Sequence, residues 1–159
     1  MTETKSWYEE LVMPALLRHS RTTYGLGMRR ELKKAGFDDI PRNGLYVIGG
    51  LSMGAGGVPL GELVKELGVS KQAAGQLVDV LVLRGYLDRT VDTVDRRKLT
   101  VGLTERGQVA AAIIKQMGDK IDADLLARVG PENIQSTRRT LAALIELGQE
   151  YRGGEGEEH

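Results

Sequence analysis

Cysteine is missing from this sequence of 159 residues. Its absence excludes disulfide bridges, zinc sites built from thiolates, a cysteine nucleophile and any sensor that oxidises a thiol. The sequence also lacks an apolar run of about eighteen residues, the length needed to cross a bilayer, and its first residues do not resemble a secretory signal. We therefore expect a cytoplasmic protein without membrane contact.

An excess of either charge is missing as well. The 22 lysine and arginine residues equal the 22 aspartate and glutamate residues. This balance argues against a protein that coats nucleic acid regardless of sequence, because such binding depends on a net positive charge. With 2 histidines and acidic residues scattered along predicted helices, we predict no metal site. No Gly-x4-Gly-Lys phosphate loop occurs, and we predict no cofactor.

Apolar spacing predicts long helices at both ends of the chain. Residues 1–36 form one such region, in which Pro14 either kinks the helix or stands in its first turn. Residues 108–152 hold two further helices, with a break at Pro131. Because a compact core needs neither region, both are predicted to form the two-fold interface of a homodimer, with a monomeric helical cap as the alternative. Residues 153–159 are predicted to be a disordered acidic tail.

Residues 37–107 carry the pattern of a winged helix-turn-helix. Two short amphipathic helices are joined by the turn 68–70, and Ser70 is a suitable N-cap for the second helix. The apolar period then changes to two, which predicts a hairpin with the charged segment 92–98 at its tip. The predicted fold is therefore mainly α with a small β-hairpin wing, flanked by N- and C-terminal dimerisation helices.

The second of the two short helices has a polar face opposite its apolar stripe. A helix fits the major groove of B-DNA only if its outer side chains are small or form hydrogen bonds. Glutamines pair with adenine, serine and lysine suit phosphate or guanine, and a glycine lets the backbone approach a base edge. The alternative is an ordinary solvated face whose glycine packs against a neighbour. The candidate DNA-binding residues of this helix are Ser70, Lys71, Gln72, Gly75 and Gln76.

Three consecutive cations, Arg96, Arg97 and Lys98, lie at the predicted tip of the wing. An arginine at the end of a thin hairpin can enter the narrow, electronegative minor groove. Asp95 can pair with one of the guanidiniums and so fix its direction. We therefore predict that the wing contacts DNA, with an exposed charged turn that keeps a strand edge soluble as the alternative.

These linked motifs resemble the multiple-antibiotic-resistance regulator (MarR) family. The likeness is carried by residues 63–74 (LVKELGVSKQAA), 84–87 (RGYL), 95–97 (DRR) and 103–107 (LTERG). The resemblance implies a homodimer that binds a pseudo-palindromic operator in double-stranded DNA, usually as a repressor, and that a small aromatic or anionic effector often releases. It implies that Arg97 enters the minor groove and Arg96 contacts phosphate. Gly75 departs from the family's pattern.

The resemblance also implies an effector pocket between the dimer helices and the DNA-binding region. The residues that such a pocket would take from this chain are His19, Tyr24, Tyr46 and Met117. For each of them, an ordinary role in the core is the favoured interpretation.

Two other functions compete with DNA binding. Residues 50–54 match the G-x-S-x-G motif of hydrolases, but glycines, Val58 and Pro59 follow it where such enzymes have a helix, and the only histidine after Ser52 is His159 in the acidic tail. We therefore predict no enzyme activity. A winged-helix module that binds another protein is the stronger alternative, although it would not need a positively charged wing beside a polar helix.

Overall fold

The computed structural model describes residues 5–53, 58–59, 62, 65, 67–91, 94–96 and 99–154. The chain divides into two compact units, Met1–Asp119 and Lys120–His159, which are described separately. The helices are α1 (Met13–Lys34), α2 (Gly44–Ser52), α3 (Lys71–Leu83), α4 (Glu105–Val129) and α5 (Pro131–Gly154). The strands are β1 (Val58–Pro59), β2 (Leu87–Val91) and β3 (Leu99–Leu103).

Helix α1 begins at Met13, with Pro14 in its first turn. Proline is well tolerated there because the amide hydrogen that it lacks would have no partner within the helix. Pro14 was predicted either to kink the helix or to stand in its first turn, and the structure shows it in the first turn. The preceding residues form a 3-10 turn, Trp7–Glu9, in which the Ser6 amide donates to the Glu9 carboxylate at 2.8 Å.

The three strands form one antiparallel sheet in the order β1-β3-β2. In the hairpin, Leu87 pairs with Leu103 and Val91 pairs with Leu99. The hairpin is thus confirmed as predicted. The sequence did not reveal β1, because a strand of two residues that includes Pro59 is too short to show alternation.

The core of the first unit lies between α2, α3 and the sheet. Helix α3 turns Ala74, Val78 and Leu81 inward, and all three are fully buried. Tyr86 and Leu87, at the start of β2, are equally buried. These positions are four and three residues apart, which is the spacing that predicted the apolar stripe of α3. Because this stripe is buried, the opposite face of α3 is the one exposed to solvent.

In the second unit, the second half of α5 leaves a row of apolar side chains exposed. They are Leu144, Ile145, Leu147 and Tyr151. The helix runs to Gly154, two residues beyond its predicted end, and residues 155–159 lie outside the part of the chain that the structure describes. No described helix has both the length and the apolar composition of a membrane span.

Candidate nucleic-acid interface

Helix α3 is defined at both ends by local contacts. Gly68 has a φ of +62°, a left-handed conformation that suits glycine and turns the chain before the helix. The Ser70 hydroxyl accepts a hydrogen bond from the Ala73 amide at 3.1 Å, which confirms Ser70 as the N-cap. Gly85, with φ +79°, follows the last turn. Glu62, Lys65 and Leu67 are helical, as expected for the first helix of the pair.

The outer face of α3 carries three polar side chains without hydrogen bonds to the described residues. Lys71, Gln72 and Gln76 are exposed, and none of them bonds to another residue within the described part of the chain. Their side chains therefore keep all of their donors and acceptors for an external partner. The structure thus brings together four of the predicted side chains, Ser70 included, at one end and one face of the helix.

Gly75 lies at the edge of this face and is half-buried. A Cβ atom built on it would have no described atom within 4 Å. The alternative interpretation, in which this glycine is needed for packing against a neighbour, therefore has no support among the described residues. A glycine in the middle of a helix destabilises it by about 1 kcal/mol relative to alanine, so the chain accepts this loss without a gain in internal packing.

The hairpin is joined to α3 by an ion pair. The Arg89 guanidinium on β2 donates to the Asp79 carboxylate on α3. Within the hairpin, the hydroxyls of Thr90 and Thr100 lie 2.6 Å apart across the two strands. The wing is thus held beside the outer face of α3. Sequence patterns did not single out the ion pair, because ten residues and a turn separate its members.

The tip of the hairpin is described only in part. Asp95 and Arg96 are exposed, as expected for residues that meet a partner. Arg97 and Lys98, the other two predicted cations, lie outside the described residues. The roles assigned to all four stay predictions.

A polar cluster around Asp39, which sequence reasoning missed, ties the α1–α2 connection to the end of α3, the start of β2 and the start of α4. The Tyr86 hydroxyl donates to the Asp39 carboxylate, and the Arg84 guanidinium donates to the Asp39 main-chain carbonyl. Arg106 Nη2 lies 3.0 Å from the Tyr86 hydroxyl and 3.4 Å from Asp39 Oδ1. Arg106 also lies over the rings of Phe37 and Tyr86, at 5.1 and 4.7 Å from their centroids.

The cluster changes the acidity of two of its members. The hydrogen bond from Tyr86 lowers the pKa of Asp39, and the nearby charges of Arg106 and Arg84 act in the same direction. Burial, together with the adjacent carboxylate, raises the pKa of Tyr86 to about 12. At neutral pH the tyrosine is therefore a firm donor and the aspartate a firm acceptor.

Helix α4 begins against the same cluster. The Thr104 hydroxyl accepts from the Gly107 amide at 3.0 Å and donates to the Gly85 carbonyl at 2.5 Å. Thr104 thus caps the long helix and links that helix to the end of α3. Gly107 is buried so tightly that an added Cβ would lie 2.1 Å from the Tyr86 carbonyl oxygen.

The four candidate effector residues do not share one environment. His19 is exposed, whereas Tyr24, Tyr46 and Met117 are half-buried. The Tyr46 hydroxyl donates to the Arg21 carbonyl at 3.4 Å, and the Arg21 guanidinium lies 4.2 Å from the centre of the same ring. Tyr46 therefore packs against α1. The role of all four as effector ligands stays a prediction.

An open cleft of about 370 Å³ lies at the end of α1 and includes none of these four residues. It is lined by Arg29, Leu32, Lys33, Phe37, Asp38 and Ile40. Arg29 spans it with hydrogen bonds to the carbonyls of Ile40 at 3.1 Å and Pro41 at 3.2 Å. The α1–α2 connection is thus attached to α1 as well as to the Asp39 cluster.

Ser52, the residue of the hydrolase-like motif, is the last residue of α2. Its hydroxyl donates to the Gly49 carbonyl at 2.7 Å. A nucleophile elbow needs a strand before the serine and a helix directly after it, so Ser52 does not have that geometry.

A capped outer helix, the turn before it and a hairpin joined to its side define a winged helix-turn-helix protein. Comparison with protein families gives the next step. Residues 38–98 match the model of the MarR family. Comparison with curated proteins gives no match.

Solved structures share the fold over most of the chain. The crystal structure of Streptococcus pneumoniae FabT in complex with DNA has a TM-score of 0.72 at 20% identity, covering 87% of this chain and 96% of that chain. A MarR transcriptional regulator from Methanosarcina mazei Go1 has a TM-score of 0.72 at 19% identity, covering 87% and 97%. The S. aureus MepR–DNA complex has a TM-score of 0.71 at 19% identity, covering 86% and 98%.

Proposed function

We propose that this protein is a sequence-specific DNA-binding transcription regulator that binds a pseudo-palindromic duplex as a homodimer. The observation that carries the proposal is the outer face of α3. Lys71, Gln72 and Gln76 are exposed there and have no bonds within the described chain, while the Asp79–Arg89 pair holds a hairpin beside them. Hydrogen-bonding side chains on a helix with a wing alongside suit base edges in one groove and backbone in the next.

The dimer is part of the proposal. Two copies related by a two-fold axis would present two such helices to half-sites about one helical turn apart. The exposed apolar row of α5, which includes Leu144, Ile145 and Tyr151, supports an interface that the single chain does not cover. FabT and MepR, whose folds this chain shares, were both crystallised with DNA.

We propose further that binding represses transcription and that a small aromatic or anionic effector weakens it. The proposal places the protein in the cytoplasm, together with the DNA that it would regulate. Its effect on DNA is non-covalent, so we propose no catalytic activity. Measurement of duplex binding in the presence of benzoates and other aromatic acids tests the effector, independently of the DNA-binding proposal itself.

Salt-dependent binding tests the central proposal. The probe is the duplex upstream of the protein's own gene, and affinity is measured by fluorescence anisotropy as the salt concentration rises. We expect log affinity to fall linearly with log salt, because the released counterions number about 0.9 per neutralised phosphate. No binding, or binding that is insensitive to salt, would instead favour a winged-helix module that contacts another protein.

A pair of lysine variants locates the interface. Lys71→Ala removes an exposed cation from α3, and Lys115→Ala removes one from α4 that pairs with Asp119 at 2.5 Å. We expect the first variant to weaken binding about fivefold or more and to flatten the salt dependence, because it loses a phosphate contact in each protomer. The second should bind as the wild type does. Equal effects of the two variants would show that binding is not centred on α3.

A further inference from the structure

Gly75 is the one member of the outer face of α3 whose role the general proposal leaves open. It lies one turn after Gln72, so both residues border the same stretch of helix surface. The described residues leave the space above Gly75 empty, since no atom lies within 4 Å of a Cβ placed there. The result is a shallow notch next to an exposed amide, at the edge of the outer face of the helix.

One base pair in the major groove has the groups that fit a glutamine beside an empty notch. An A·T base pair presents adenine N6 and N7, which a glutamine amide can bind with two hydrogen bonds, and it presents the thymine methyl group a short distance away. A side chain at position 75 would occupy the space that this methyl group needs. Without one, the methyl group can rest against the backbone of α3 and be removed from water.

We propose that Gln72 and Gly75 together read an A·T base pair, with Gln72 bonded to the adenine and the thymine methyl seated in the notch at Gly75. The inference rests on the proposed function, since it requires that α3 enters the major groove. It adds the chemistry of one operator position and gives a reason for a glycine that destabilises the helix without improving internal packing.

The test removes the methyl group from the DNA and adds one to the protein. Duplexes are selected from a random-sequence library with the full-length protein, and each thymine of the resulting site is replaced singly by deoxyuridine. We expect one thymine per half-site to be sensitive, with affinity falling about fourfold per half-site, the effect of one methyl group transferred from water. Replacement of the other thymines should have little effect.

The protein variant is Gly75→Ala, which fills the notch. We expect it to bind the thymine duplex about tenfold more weakly than the wild type does and to reverse the preference, so that the uracil duplex becomes the better ligand. The matched control is Gly50→Ala in α2, another helical glycine above which no described atom lies within 4 Å. It should bind both duplexes with the wild-type preference.

Stability separates this role from a structural one. Both alanine variants should melt at the wild-type temperature or about 2 to 4 °C above it, because alanine favours the helix. A lower melting temperature for Gly75→Ala would overturn the proposal, since the glycine would then be required for packing. Equal thymine and uracil preferences in the wild type and in Gly75→Ala would overturn it while leaving DNA binding intact. Failure of the selection to enrich any duplex would instead overturn the proposed function.

Discussion

The Arg89 guanidinium on β2 donates a hydrogen bond to the Asp79 carboxylate on the outer part of α3. Asp79 is more than half exposed, at 61%, on a helix that we propose to lie against DNA, whereas Arg89 is 36% exposed. An unpaired carboxylate at that place would face phosphates of the same sign. Arg89 therefore has two effects: it attaches the hairpin to α3, and it neutralises a charge that would repel the duplex.

We predict that Arg89→Ala weakens duplex binding by about tenfold, and that the further change Asp79→Ala restores much of the loss. The first change leaves a bare carboxylate near the phosphates, and the second removes it. Anisotropy titrations of both single variants and of the double variant measure the coupling. Losses that simply add in the double variant would contradict this role, since each residue would then act alone. Thermal stability should change by less than about 1 kcal/mol throughout, because the pair is exposed.

We predict that Gly107→Ala destabilises the protein strongly. A Cβ at this buried position would lie 2.1 Å from the Tyr86 carbonyl oxygen, so α4 or the start of β2 must move. Overpacking of this kind lowers the free energy of unfolding by about 1 to 3 kcal/mol or more. Chemical denaturation measures it, with Gly50→Ala as the control that has space for the added methyl group. An unchanged midpoint would show that α4 shifts at no cost.

We predict that Tyr86→Phe lowers the free energy of unfolding by about 1 to 3 kcal/mol at neutral pH, because the Asp39 carboxylate loses its closest donor. The difference between the two proteins should be constant from neutral pH to pH 10, the ordinary pKa of tyrosine. It should shrink as the pH rises from 10 towards about 12, where the folded wild type deprotonates. Denaturation midpoints across this range test the prediction, and a difference that stays constant above pH 10 would contradict it.

The same cluster should also make stability depend on pH in the acid range, where stability falls as the pH is lowered. The folded state lowers the pKa of Asp39 from its ordinary 3.8, so the stabilisation is complete above that value and is lost as the pH falls below it. We expect Asp39→Asn to be less stable than the wild type at neutral pH and to approach it below pH 3.8. Acid titrations followed by circular dichroism measure this convergence. Parallel curves for the two proteins would argue against the ionic contact.

We predict that Arg96→Ala weakens duplex binding and lowers the steepness of its salt dependence by about 0.9 for each protomer, the value for one phosphate contact. Arg97→Ala should reduce affinity by about 1 to 3 kcal/mol, as expected for a minor-groove contact. Titrations at several salt concentrations distinguish the two effects. If neither variant differs from the wild type, the wing does not touch DNA.

Local signals accounted for most of the fold. The N-cap Ser70 and the turn at Gly68 stand where the sequence placed them, because each acts on backbone only a few residues away. The buried stripe of α3 followed from its period in the same way. The face opposite this stripe could then be predicted to lie outside the core, and that face supplied the candidate residues Lys71, Gln72 and Gln76.

Contacts between distant parts of the chain could not be predicted. Asp39 and Tyr86 are 47 residues apart, and Arg106 lies a further 20 residues along the chain. No spacing rule joins such residues, because only the packing of α2, α3 and α4 brings them together. The strand β1 was missed for a related reason, since its pairing with β3 is its only distinguishing feature.

The α1–α2 connection is held by hydrogen bonds from two sides. Arg29 of α1 donates to the carbonyls of Ile40 and Pro41. Arg84 and Tyr86, which follow α3, donate to Asp39. One short segment is thus bonded both to α1 and to the residues that follow α3. Three of these bonds, from Arg29 and Arg84, end on main-chain carbonyls, so replacing a side chain of the segment 39–41 leaves their acceptors in place.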